Sequence, residues 1–188
     1  RGSGNTLQLV NAGQADVGQI QLGLIPAARQ GGAKVKGIAG WDRRTDLCVL
    51  VDKDAPVEQI TDLKGKKIVV FAASPWTPYI DTFLAAGGLD RDNTTIEFVD
   101  ASALWGTYTS GRADAMMSTV ASALPLAEAQ RPSKCLTSDS ADLYFPSYGL
   151  VASDDTIKSR ADALKKLVEV QQRAWAEIAS NPDLGVEA

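Results

Sequence analysis

Histidine is absent from all 188 residues. That removes the commonest general base, the usual imidazole metal ligand and every Ser-His or Cys-His pair, so a catalyst would have to work with carboxylates, lysine or tyrosine. Cysteine is scarce as well. Cys48 and Cys135 allow at most one internal disulfide, and neither sits in a CxxC pair, which argues against zinc and thioredoxin-type chemistry. Both read as buried small hydrophobes, with a disulfide between them as the less favoured alternative. Long apolar runs are missing: the densest, Lys67 to Ala73, is strand-sized and far short of the roughly 18 residues of a membrane-spanning helix. Positive charge is also in short supply. A net charge of −4 and a pI near 4.9 argue against a nucleic-acid surface, which needs a basic stripe.

What is present is a folded chain of ordinary composition, 45% hydrophobic and 22% charged. It opens at Arg1-Gly-Ser-Gly4 without an initiating Met or a signal peptide and stops soon after a long helix. Both ends therefore read as cut, and the lack of a leader says nothing of where the protein works. Between them, helices and strands alternate. Residues 5–12 read as a helix, 16–21 as a strand, 22–30 as a helix, and 35–39 and 47–51 as strands. The alternation resumes with strands at 67–72, 95–99, 113–117 and 134–137, interleaved with helices at 77–86, 101–110 and 121–130. A strand at 148–152 and a long amphipathic helix at 159–180, stopped by Asn181-Pro182, complete it. Such alternation predicts α/β architecture with parallel, doubly covered sheets.

Two segments share a Gly-x-Ala-Asp pattern, Gly13 to Asp16 and Gly111 to Asp114, each ending a helix and starting a strand. One such unit lies in each half. The reading is two Rossmann-like lobes joined by two crossovers. Residues 1–53 plus 146–188 form lobe one and 58–140 lobe two, with hinges at 54–57 and 141–145.

Several segments occur in a telling order: Gly2 to Val10, Ala12 to Gly18, Leu63 to Val70, Ser110 to Ala115 and Tyr148 to Ala152. Together they resemble the solute-binding family of ABC transporters that handles nitrate, sulfonates, taurine and the pyrimidine precursor of thiamine. The resemblance spans nearly the whole chain. It implies a type II periplasmic-binding-protein fold, a Venus-flytrap cleft, a membrane permease as partner and a periplasmic or lipid-anchored location. It also implies that a first strand and helix and some C-terminal helices of the family lie outside this sequence. A fungal pyrimidine synthase of the same family consumes its own histidine and needs cysteine-rich iron ligation; this sequence has neither, which favours transport over synthesis. No cofactor or metal is called for, and the protein is expected to be a monomer. An enzyme or a regulator's effector domain on the same bilobal fold are the alternatives.

In open α/β sheets, ligands dock beyond the carboxyl ends of strands, where unpaired helix N–H groups face them. Ser3, Gly4 and Asn5 open the first helix; they form either an anion-binding turn or a plain tight connection. Ser74, Trp76 and Thr77 follow the strongest strand. They offer a ligand platform, or alternatively a Ser cap with an incidental aromatic. Trp41, Asp42 and Arg43 follow the strand ending at Ala39, where an arginine could hold a carboxylate or sulfonate, or merely line a solvated turn. Gln19, Gln21, Ser118, Thr119 and Tyr148 complete the candidate set. Trp105 and Trp175 lie at apolar helical positions and read as core. Two tryptophans near the cleft favour an aromatic or pyrimidine-like solute over an aliphatic sulfonate. The acidic stretch Asp90 to Thr95 lacks the glycine and glutamate of a calcium loop.

Overall fold

A computed structural model describes residues 2–187. Among the described residues, eight strands fall into two sheets. The smaller holds β1 (Val17–Gln21), β8 (Tyr148–Ser153) and β2 (Val35–Gly40), in that order. The larger runs β5 (Thr95–Val99), β4 (Lys67–Phe71), β6 (Ala115–Thr119), β3 (Leu47–Asp52), β7 (Ser133–Thr137).

The sheets are not wholly parallel, which corrects the sequence expectation. β4 runs parallel to β5 and β6, but β3 is antiparallel to β6 and β7, and β8 is antiparallel to β1 and β2. Each sheet thus has one reversed strand, and in each it is the strand that follows a crossing between sheets. The reason is geometric: the chain crosses at the strands' carboxyl ends, so the arriving strand must run back the other way.

The same pairing moves a boundary. Leu47–Asp52, expected in lobe one, is a central strand of the larger sheet, so the first crossing is 41–46 and not 54–57. Its side chains explain the placement. The first five residues are all buried, as a strand covered on both faces requires. Residues 54–57 are instead a turn at the edge of the larger sheet, with Val57 buried in its core, leading into a helical turn, Ile60–Leu63. The return crossing runs through 142–147 beside the outgoing one: Thr45 N–H donates to the Phe145 carbonyl (2.7 Å) and Ser147 N–H to the Asp42 carbonyl (3.1 Å).

Alternation along the larger sheet sorts its core into two layers. Leu47, Val49, Ile68, Val70 and Met117 face Trp76 and α3 (Ile80–Ala86). Cys48, Leu50, Val69 and Met116 face α4 (Ala101–Thr109) and α5 (Val120–Gln130). The smaller sheet packs one face, through Ile20, Val35 and Val151, on α1 (Ser3–Asn11) and α2 (Leu24–Gln30). α1 approaches so closely at Gly18 that an added methyl group would lie 2.6 Å from Thr6. After the short α6 (Asp154–Ser159), α7 (Ala161–Ser180) buries little beyond Leu164.

Two further expectations change. Cys48 and Cys135 are joined as a disulfide. They lie two pairs apart in register on neighbouring strands, a geometry that sequence separation alone does not reveal. Trp175 is 53% exposed, because the apolar stripe of α7 meets little of the fold; Trp105 does pack against the core.

Candidate functional site

α1 and the carboxyl ends of β4 and β5 face one another across the two sheets. A cavity of about 520 Å³ lies there, lined by Gly4, Asn5 and Gln8 from α1, by 71–73 at the end of β4, and by Val99, Asp100 and Ala101 where β5 enters α4. Helix starts stand on both sides of it, and their first N–H groups have no partners within the helix. On the α1 side one is engaged across the gap: Gly4 N–H donates to the Ala73 carbonyl at 3.2 Å. This approach needs a glycine next to it. Gly2 has φ of 79°, and a methyl group there would stand 2.7 Å from the Phe71 ring and 2.8 Å from the Ala73 oxygen.

The predicted residues divide around this cavity. Gly4 and Asn5 line it. Ser3 stands next to them, buried, with its hydroxyl accepting from Gln21 N–H (3.2 Å). The loop carrying Ser74 begins at the cavity, but Ser74 and Trp76 are buried and the exposed Thr77 is bound to its own loop. Ser74 Oγ accepts from Trp76 N–H, and Thr77 Oγ1 donates to the Ala72 carbonyl. Trp76 is fully buried in the core. It meets Phe83 edge-on at 5.1 Å and donates from Nε1 to the Ser118 carbonyl at 2.8 Å. A ligand platform at Trp76 is therefore corrected: its indole closes the protein's own interior, and an aromatic with one polar handle does this well.

Trp41 is also turned aside, packing on Trp175 at 6.4 Å. Asp42 and Arg43 are exposed on the outgoing crossing, and Gln19 is exposed on β1. Thr119 is buried, its hydroxyl bonded to that of Ser122 at 2.6 Å. None of these residues, nor Ser118 or Tyr148, lines the cavity.

Over residues 1–184 the sequence matches the family described as NMT1/THI5-like. The chain belongs to this family. A search of curated proteins returned no match. Among solved structures it is similar to the periplasmic aliphatic sulphonate binding protein SsuA of Escherichia coli (TM-score 0.78, 16% identity, 99% of this chain and 60% of that one). It is likewise similar to the alkanesulfonate-binding SsuA of Xanthomonas axonopodis pv. citri bound to MOPS (0.77, 15%, 99% and 64%). A third is a putative L-cystine ABC transporter of Listeria monocytogenes (0.64, 18%, 92% and 69%). The chain thus spans about three-fifths of the length of SsuA, and it shares the fold of these proteins.

In this NMT1/THI5-like chain the crossings hold a polar hub that the sequence did not flag. Asp46 Oδ1 accepts from Gln21 Nε2 (2.9 Å) and from Ser147 Oγ (3.2 Å), while the Asp46 carbonyl accepts from Val120 N–H (2.8 Å) at the start of α5. Gln21 is wholly buried and accepts in turn from Thr45 Oγ1 (3.3 Å). Tyr148, opposite Gln21 on β8, has its phenol pKa raised, chiefly by burial and further by the Asp46 charge, with the Gln21 hydrogen bond acting the other way. Tyr79 hydrogen-bonds the Gly23 carbonyl and stacks on Phe145 at 4.5 Å, tying the short turn Thr77–Tyr79 that leads into α3 to the smaller sheet and the return crossing. Asp100 was within reach of sequence reasoning: the carboxyl-end rule, applied to β5 as it was to β4, leads to it.

Proposed function

We propose that this chain is the solute-clamping part of an extracytoplasmic binding protein serving an ABC importer. The observation that carries the reading is the cavity between α1 and the ends of β4 and β5, where two separate sheets meet over paired crossings. A solute touching both walls binds the closed arrangement better than the open one and shifts the population toward it. That task needs differential affinity and no catalyst. Family membership and the likeness to transporter-associated binding proteins support a membrane permease as partner and an extracytoplasmic location; within this reading the protein acts as a monomer, free in the periplasm or lipid-anchored. The solute is a small organic molecule; the crossings and the Asp46 hub act as the hinge.

A thermal-shift screen over sulfonates, MOPS, nitrate, aromatic acids and amines tests this. A bound solute raises Tm in proportion to RT ln(1 + [L]/Kd), and Ala101→Trp, which fills the cavity, abolishes the rise. No stabilisation by any solute, or stabilisation untouched by Ala101→Trp, would contradict the proposal.

A further inference from the structure

The charge of the cavity bears on which solute it takes, and here the structure departs from what the sulphonate-binding relatives suggest. Among the described residues, no lysine or arginine lines it. The one charged side chain that does is Asp100, and it has no hydrogen-bond or ion-pair partner: it stands at the N-cap of α4 without capping the helix. Its backbone carbonyl serves Ala103 and Leu104, but the carboxylate is uncommitted. The walls beside it are apolar, Phe71 and Val99 from the strand ends, and the Gln8 amide can accept as well as donate.

The opposing influence is the positive end of each helix. Such an end amounts to roughly half a charge, against the full charge of a carboxylate. At α4 the carboxylate sits on the end itself. At α1 the Gly4 N–H already serves the Ala73 carbonyl. The balance in the cavity is therefore negative. An anion entering it would meet a carboxylate with no lysine or arginine among the described lining residues to offset the repulsion, whereas a cationic N–H donor would meet an unpaired acceptor.

From this geometry we infer that Asp100 makes the cleft selective for a solute carrying an amidinium or ammonium group on a small apolar or aromatic body, and against sulfonates. The inference rests on the cleft being the binding site, as proposed above. Three probes of nearly one shape and different charge test it by calorimetry on this chain at fixed ionic strength: benzamidine, benzyl alcohol and sodium benzenesulfonate.

Benzamidine should bind tightest and benzenesulfonate weakest. Asp100→Asn, an equally good N-cap residue, should weaken benzamidine by roughly tenfold or more, the worth of a charge-assisted hydrogen bond. It should leave benzyl alcohol within about twofold, since a neutral probe has no charge to lose. Asp100→Ser gives the same comparison with a different cap. Benzenesulfonate binding as tightly as benzamidine, benzamidine indifferent to both variants, or benzamidine failing to bind would each overturn the inference. The cleft reading falls separately, only if the wider solute panel also fails or ignores Ala101→Trp.

Discussion

The larger sheet is sealed and the smaller one is half-dressed. Helices cover both faces of the larger sheet, and β3, held between β6 and β7, is buried along almost its whole length. A disulfide ties β3 to β7, and Arg131 bonds the carbonyls of Tyr108 and Ala113 while lying 4.3 Å over the Tyr108 ring. The smaller sheet has a single helical layer with a compact core, and on its other side Gln19 and Lys36 are exposed while the apolar stripe of α7 stays largely in solvent. Stability is therefore concentrated in one half, and in the proposed clamp the other half is the one that shifts. A hinged clamp needs that asymmetry, because a wall that moves cannot also be the wall that holds the fold together.

Substitutions can break this contrast. The largest effect should come from Trp76→Ala, which empties the most voluminous fully buried site in the larger sheet. It should lose about 4 kcal/mol in urea unfolding, in line with other large-to-small core changes. Replacing Cys48 and Cys135 with alanine opens a link across 87 positions of sequence and should cost about 3 kcal/mol, read as a lower urea midpoint that reductant no longer changes. Gln21→Leu, at the hub, should cost about 2 kcal/mol because it leaves buried polar partners such as Thr45 unpaired. By contrast, Trp175→Ala should fall within about 0.5 kcal/mol, as expected of an exposed side chain, while changing the indole fluorescence. A large loss at Trp175 would contradict the contrast.

High pH probes both halves at once. Burial raises the pKa of Tyr79, Tyr108 and Tyr148 above the usual 10. The folded state holds these protons more tightly than the unfolded chain. Their contribution is thus fully present below about pH 10 and is lost as pH rises through the folded values. Tm should be flat up to about pH 10 and fall beyond it, and Tyr148→Phe should remove part of that fall.

Much of the architecture was legible in sequence because periodicity and punctuation are local. Every strand from β1 to β8 left its mark as a short strand-sized segment bounded by turn residues or charge, most plainly the apolar runs of β3 and β4. Sheet membership was not local. Leu47 to Val51 reads as a buried strand wherever it goes, and only its pairing with β6 and β7 reveals which sheet claims it. The cleft was half legible. The helix-start rule found Gly4 and Asn5 but placed Trp76 by its position in a loop, and an indole's direction depends on the core beside it. Asp46 left no signal, since one carboxylate in a polar turn looks like any other until two crossings converge on it.

The central claim is that a solute is held between α1 and the ends of β4 and β5, joining the two sheets. Hydrogen exchange measured with and without the best-binding solute of the screen tests it most directly. Binding should slow exchange together in residues 3–8, 71–77 and 99–103, on both sides of the gap. Protection confined to one wall, or located elsewhere on the chain, would contradict it.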